Sequence, residues 1–334
     1  MVEITGIAQY EAWQQRIMPP AEQVRPSIWS IPVTCDPFAI RYTFAYLVVG
    51  EDSSFYLIDP GFQSADGEQQ LRDGIANAGL ALDGLRGVIV THFHSDHLGA
   101  APRLAREAGV WYGMHEADLL AFPGYPDAEE FLARAAQMLD VFGVPQVEDR
   151  PGDLTAEHYA AVEPEFLPTR LLRGGEGLEL PGKRIELVHT PGHTAGHLSI
   201  LDHDERVVFS GDHVLPRITS NVSAYPHDMQ HDALGDYLES LEALRPWQDY
   251  EVLAAHEYRF AGLGDRIDEL IAHHAERGAE IAAVMQHGHE TAWEVAQRIT
   301  WGRGWESLDG MNLRSALGET QAHMNHLRAL GTGE

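Results

Sequence analysis

Residues 91–99 read Thr91-His92-Phe93-His94-Ser95-Asp96-His97-Leu98-Gly99, and they follow the apolar run Gly87 to Val90. A short apolar stretch of this kind suits a buried strand, here Val88 to Thr91, which puts the histidines at its carboxyl end. In an extended segment residues two apart point the same way, so His92 and His94 converge on one cation through imidazole nitrogens while Phe93 turns to the core. The chain must then turn before a helix that carries Pro102 in its first turn and ends at Gly109. That turn aims Asp96 and His97 at a neighbouring cation. The chain holds 19 histidines, so an H-x-H pair alone carries little weight. Four ligand-type residues in six positions, between a strand and a helix, carry far more.

Further motifs follow in a fixed order: FYLIDPG at Phe55 to Gly61, HTPGHTAGH at His189 to His197, FSGD at Phe209 to Asp212, and VLAAH at Val252 to His256. Together with the 91–99 run they resemble the signature of the metallo-β-lactamase superfamily. The resemblance implies an α/β (α+β) fold, a four-layer αββα sandwich with its metals at one edge. It assigns His92, His94 and His193 to a first metal, and Asp96, His97 and His256 to a second. Asp212 would bridge the two, and Asp59 would support the metal shell from behind. His189 and His197 are left as structural histidines. One departure is visible: many members have Gly immediately before the last ligand, where this chain has Ala255.

The cofactors so implied are two divalent metal ions, zinc first, with iron or manganese also accepted by mixed histidine and carboxylate donors. In the chemistry they imply, a metal-bridging hydroxide attacks a carboxylic ester, thioester, lactone or amide of a small metabolite. The catalytic carboxylates are Asp96, which orients the nucleophile and takes its proton, and the bridging Asp212. Two other classes stay open. One is phosphodiester or RNA cleavage on the same fold; the other is an iron-dependent redox enzyme or a non-catalytic metal-binding protein.

At 334 residues and 44% hydrophobic content the chain can bury a large core and is long for one domain. The expected division is a catalytic domain over 1–262 and a small winged-helix-like helical domain over 263–334. Apolar spacing marks helices at Asp265 to Gln286, Thr291 to Ile299 and Arg314 to Leu330. The interval 116–174 is longer than a connection needs, has a helical pattern at Ala128 to Phe142, and reads as an insertion near the site, either lid or appendage. Substrate contacts are expected from the loop after Asp212, with Arg217, Asn221 and Tyr225, and from Tyr258 and Arg259 after His256. Arg217 and Arg259 suit a carboxylate or phosphate clamp, or structural ion pairs.

A net charge of -28 repels polyanions, and from Asp265 onward eleven acidic residues face six arginines and no lysine. Nucleic acid is therefore not the expected partner, a small molecule is, and the tail suits packing or a homodimer. Lys183, the only lysine, follows Pro181 and Gly182 in a hairpin turn and is expected in solvent. The single cysteine, Cys35, excludes an internal disulfide. Neither a signal peptide nor a membrane span is legible, so the expected location is cytoplasmic.

Overall fold

The computed structural model describes residues 2–35, 40–121, 128–147, 167–225 and 227–331. Branched and aromatic residues, which pack well on a pleated surface, fill its longest strands. One seven-stranded sheet runs β2 (Glu22–Arg25), β3 (Ile28–Thr34), β4 (Tyr42–Val49), β5 (Phe55–Ile58), β6 (Leu85–Ile89), β7 (Trp111–His115) and β8 (Arg170–Leu172). The other runs β1 (Glu3–Ile4), β14 (Phe260–Ala261), β13 (Glu251–Ala254), β12 (Val207–Gly211), β11 (Leu198–Asp202), β10 (Lys183–His189) and β9 (Gly177–Leu180). Parallel pairing is confined to β5 through β8 in the first sheet and β12 with β13 in the second.

The inner faces meet through Phe44, Tyr46, Leu187, Ile200, Phe209 and Leu253. Helices α2 (Ala65–Asn77) and α4 (Ala101–Ala108) cover the outer face of the first sheet with Leu71, Ile75 and Leu104. On the second sheet α6 (Ala233–Ala243) and α7 (Leu263–Met285) do so with Leu241, Ile267 and Leu270. The layers are thus αββα, as the motifs imply. A further cluster joins Leu139 of α5 (Ala128–Val141), and Phe142 just beyond it, to Ile281, to Val295 of α8 (Ala292–Ala296) and to Leu317 of α9 (Gly310–Ala329). Insertion helix and tail helices therefore share one apolar core. The tail is helical as read, and among the described residues no strand follows Ala261.

Two local expectations need correction. β6 ends at Ile89, two residues early, because the Thr91 N–H is drawn out of the ladder by the Asp59 carboxylate at 2.7 Å. Lys183 does sit at the β9–β10 turn, yet its side chain is only 6% exposed and pairs with Asp202 at 3.0 Å and Glu205 at 3.1 Å. The acid on the adjacent strand β11 makes burial affordable, which the turn residues alone do not reveal. Helices α2 and α6 lie outside the motifs and runs read from the sequence. α2 contains Gly74 because a Cβ there would lie 2.5 Å from the Ile31 side chain, and α6 is started by Asp232, which accepts the Gly235 N–H at 2.8 Å. The stretches 122–127 and 148–166, on which a lid would depend, lie outside the described residues. No helix among the described residues is long and apolar enough to cross a membrane.

Candidate metal centre

The seven candidate ligands gather at the carboxyl edge of the central strands. His92 and His94 follow β6, His193 lies in the loop after β10, Asp212 follows β12 and His256 follows β13. The segment after β6 is bent rather than extended, and it leads into a single helical turn, α3 (Ser95–Leu98), which carries Asp96 and His97. Because of the bend, His92 and His94 meet through unlike nitrogens, Nε2 and Nδ1, 2.9 Å apart. Phe93 packs on the outer-face cluster of the first sheet, as expected.

His193 Nε2 completes a triangle, 3.2 Å from His92 Nε2 and 3.0 Å from His94 Nδ1. Three nitrogens bound tetrahedrally at a zinc–nitrogen distance of about 2.0–2.1 Å would stand roughly 3.3 Å apart, so the triangle is close to the size such an ion requires. A second group is formed by Asp96, His97 and His256. His256 Nε2 lies 3.4 Å from Asp96 Oδ2 and 3.1 Å from Asp212 Oδ1, and His97 Nε2 lies 3.5 and 3.4 Å from the same two atoms. Asp212 stands between the groups, with Oδ2 3.7 Å from His193 Nε2. Buried His97 Nε2, His256 Nε2 and Asp212 Oδ1 have no hydrogen-bond partner, which is costly unless something else meets them. Imidazole and carboxylate are the donors that divalent zinc, iron or manganese accept, so these residues fit a pair of such ions.

The far sides of the His92, His97, His193 and His256 rings are fixed. His193 Nδ1–H donates to the Asn221 carbonyl at 2.8 Å and His256 Nδ1–H to the Tyr42 carbonyl at 3.2 Å. His97 Nδ1–H donates to Asp59 Oδ2 at 2.8 Å. His92 Nδ1 meets the Thr91 hydroxyl at 3.0 Å, which in turn donates to Asp59 at 2.7 Å. In the neutral rings these bonds turn the Nε2 lone pairs of His92, His97, His193 and His256 inward, while His94 faces the site through Nδ1. Burial drives His92 well below its ordinary value and His94 down to about 3. Burial acts the same way on His97 and His256, but the carboxylates of Asp96 and Asp212 overcome it: His97 is held well above its usual range and His256 near 10. Burial likewise opposes ionisation of Asp96 and Asp212, and the neighbouring imidazoles override it, holding both well below the carboxylate range. The second group therefore attracts positive charge, and the first offers neutral nitrogen donors.

The residues read as substrate contacts are placed differently from one another. Arg259 is committed to Glu251 at 2.7 Å and Glu22 at 3.3 Å. Tyr258 is buried against Tyr10 and Trp13, and Tyr225 is buried between His227 and His231. Arg217 remains half in solvent, over the Trp13 ring and 3.3 Å from Glu257. His189 Nε2–H donates to the Ala195 carbonyl at 2.9 Å, and His197 bonds Thr190, so both have structural partners. Ala255 needs no glycine conformation; the left-handed residue is Glu257, at φ 68°.

Sequence reasoning passed over Asp118. It lies fully buried in the 3-10 turn Glu116–Ala121, and its carboxylate accepts the Phe93 N–H at 3.1 Å, the Thr194 hydroxyl at 3.0 Å and the Gly196 N–H at 2.6 Å. Burial pushes its carboxyl up to about 7 against those three bonds. No spacing rule marks it, since its partners, two backbone N–H groups and a hydroxyl, lie 25 to 78 residues away. The only hint was an acid among apolar residues just after an apolar strand.

The family model of the metallo-beta-lactamase superfamily matches residues 40–256. Hydroxyacylglutathione hydrolase GloC of Haemophilus influenzae is 29% identical over 168 residues, 50% of this chain and 64% of that protein. Acyl-coenzyme A thioesterase MBLAC2 of Gallus gallus is 26% identical over 223 residues, 66% of this chain and 73% of that one. Among solved structures, a beta-lactamase domain protein from Burkholderia ambifaria superposes with a TM-score of 0.78 at 25% identity, covering 99% of this chain and 93% of its own.

Proposed function

The chain belongs to the metallo-beta-lactamase superfamily and is a metallo-hydrolase, and from that premise we propose that it cleaves the acyl bond of a small carboxylic derivative, a thioester before an ester, lactone or amide. The observation that carries the proposal is the pair of ligand groups meeting at Asp212. His92, His94 and His193 would hold one divalent ion, Asp96, His97 and His256 the other, and Asp212 would serve both. Zinc is the first choice, with iron or manganese compatible with the same donors. When bound, such ions supply a water activated near neutral pH and a Lewis acid for the carbonyl oxygen.

The chain's own residues do the rest. Asp96 is the more open of the two central carboxylates, with 18% of its side chain exposed against 12% for Asp212. It is the group placed to orient the attacking water and take its proton. Asp59, through Thr91 and His97, keeps the imidazoles from rotating as charge develops. Of the two arginines beside the ligand segments, Arg217 suits an anionic part of the substrate, because it stays 57% exposed while paired with Glu257, whereas Arg259 is engaged with Glu22 and Glu251. Two relatives whose names specify acyl-glutathione and acyl-coenzyme A chemistry support the thioester.

The test is a panel of matched thioester, ester, lactone, amide and phosphodiester substrates offered to the metal-loaded protein. Thioester turnover that disappears in Asp212→Ala together with bound metal is the expected result. Preferential cleavage of phosphodiesters would overturn the substrate class.

A further inference from the structure

We infer that Asp118 is a positioning residue for the first metal site alone, setting the distance between the two loops that supply its three imidazoles. The inference rests on the reading of His92, His94 and His193 as one site. The first loop enters through Phe93, the residue between His92 and His94, whose N–H reaches Asp118 Oδ2. The second enters through Thr194 and Gly196, which follow His193 directly and bond Oδ2 and Oδ1. These loops lie about a hundred residues apart in the chain, and their nitrogens must stand within 3.2 Å of one another. A single buried carboxylate holds both.

None of its partners belongs to Asp96, His97 or His256. Asp59 is the contrast, because through Thr91 and His97 it touches the surroundings of both sites. The fit around Asp118 is tight: a Cβ at Gly196 would lie 2.7 Å from its carboxylate, so glycine is required for that loop to close on it. An asparagine cannot replace it, since one of its two polar atoms is a donor and would face an N–H or O–H that also donates.

The experiment measures metal affinity by chelator competition in two backgrounds. His256→Ala cripples the second site and leaves the first, and His193→Ala does the reverse. Adding Asp118→Asn is expected to weaken binding about 10- to 100-fold in the His256→Ala background, the usual cost of losing an outer partner, and to leave the His193→Ala background unchanged. Thr194→Val, which removes one donor and keeps the side-chain shape, should act in the same direction and stands in if Asp118→Asn does not fold. Equal loss in both backgrounds, or no loss in either, overturns the inference and makes Asp118 a general structural acid. If His193→Ala and His256→Ala themselves leave the metal content at its original value, the underlying site reading has failed instead.

Discussion

Three donors converge on the Asp59 carboxylate: the Thr91 N–H, the Thr91 hydroxyl and His97 Nδ1–H. Its backbone is itself strained, at φ 48°, a conformation that surrounding contacts must hold. Asp59→Asn keeps the size but sets an amide N–H against a donor. We expect about a 10- to 100-fold fall in metal affinity and in kcat/KM; unchanged metal content after dialysis against chelator would count against that role. The two arginines separate at the same scale. Arg259 is mostly buried between Glu22 and Glu251, and Glu251 keeps Arg25 and the Thr5 hydroxyl as partners, so Arg259→Met should cost about 1–3 kcal/mol in urea unfolding, with KM unchanged. Arg217→Met leaves the buried Glu257 carboxylate without that partner and should cost a similar amount, but with a raised KM for an anionic substrate.

Among the elements, α9 braces a loop of the site without contributing a ligand. Its Gly318 carbonyl accepts the Ala224 N–H at 3.1 Å, and Asn325 donates to the Met229 and His231 carbonyls at 2.9 and 3.0 Å. The loop so held includes Asn221, which fixes His193. A Cβ at Gly318 would lie 2.8 Å from Ser223 Oγ. Gly318→Val should therefore destabilise the fold by about 1–3 kcal/mol through overpacking, with partial recovery in a Ser223→Gly background; equal losses with and without Ser223 would refute the contact. Element scale also explains what the sequence made legible. Strand runs such as Tyr42–Val49 are continuous and apolar, and Pro102 and Gly109 punctuate α4 through their own backbone limits. Ligands such as His92 and Asp212 stand in short motifs whose chemistry is local. Asp118, Asn221 and the burial of Lys183 depend on partners from distant strands and loops, and nothing in their immediate neighbours encodes those. Arg259 stayed open between clamp and ion pair for the same reason: adjacency to His256 says nothing about Glu22.

For the whole molecule, acid is a sharper probe than heat. His274 on α7 and His323 on α9 face each other at 3.2 Å in the tail, and burial pulls them down to about 3 and about 4 respectively. Unfolded, both return to about 6.5 and bind more protons than when folded. Their contribution is thus complete above roughly pH 6.5 and is lost as pH falls toward 4, so stability should rise with pH across that window. The double variant His274→Leu, His323→Leu should flatten the slope measured by urea unfolding; an unaltered slope would rule the pair out. Metal removal should lower the melting temperature as well, because a ligand held only by the native state stabilises it, by about 2.7 kcal/mol at a hundredfold excess over Kd. The joint core of Leu139, Phe142, Val295 and Leu317 has an architectural consequence. Insertion and tail are two chapters of one structure printed far apart in the chain. Grafting either segment alone from a relative would leave the other facing a foreign surface, so any recombination of this protein with its kin must move both or neither.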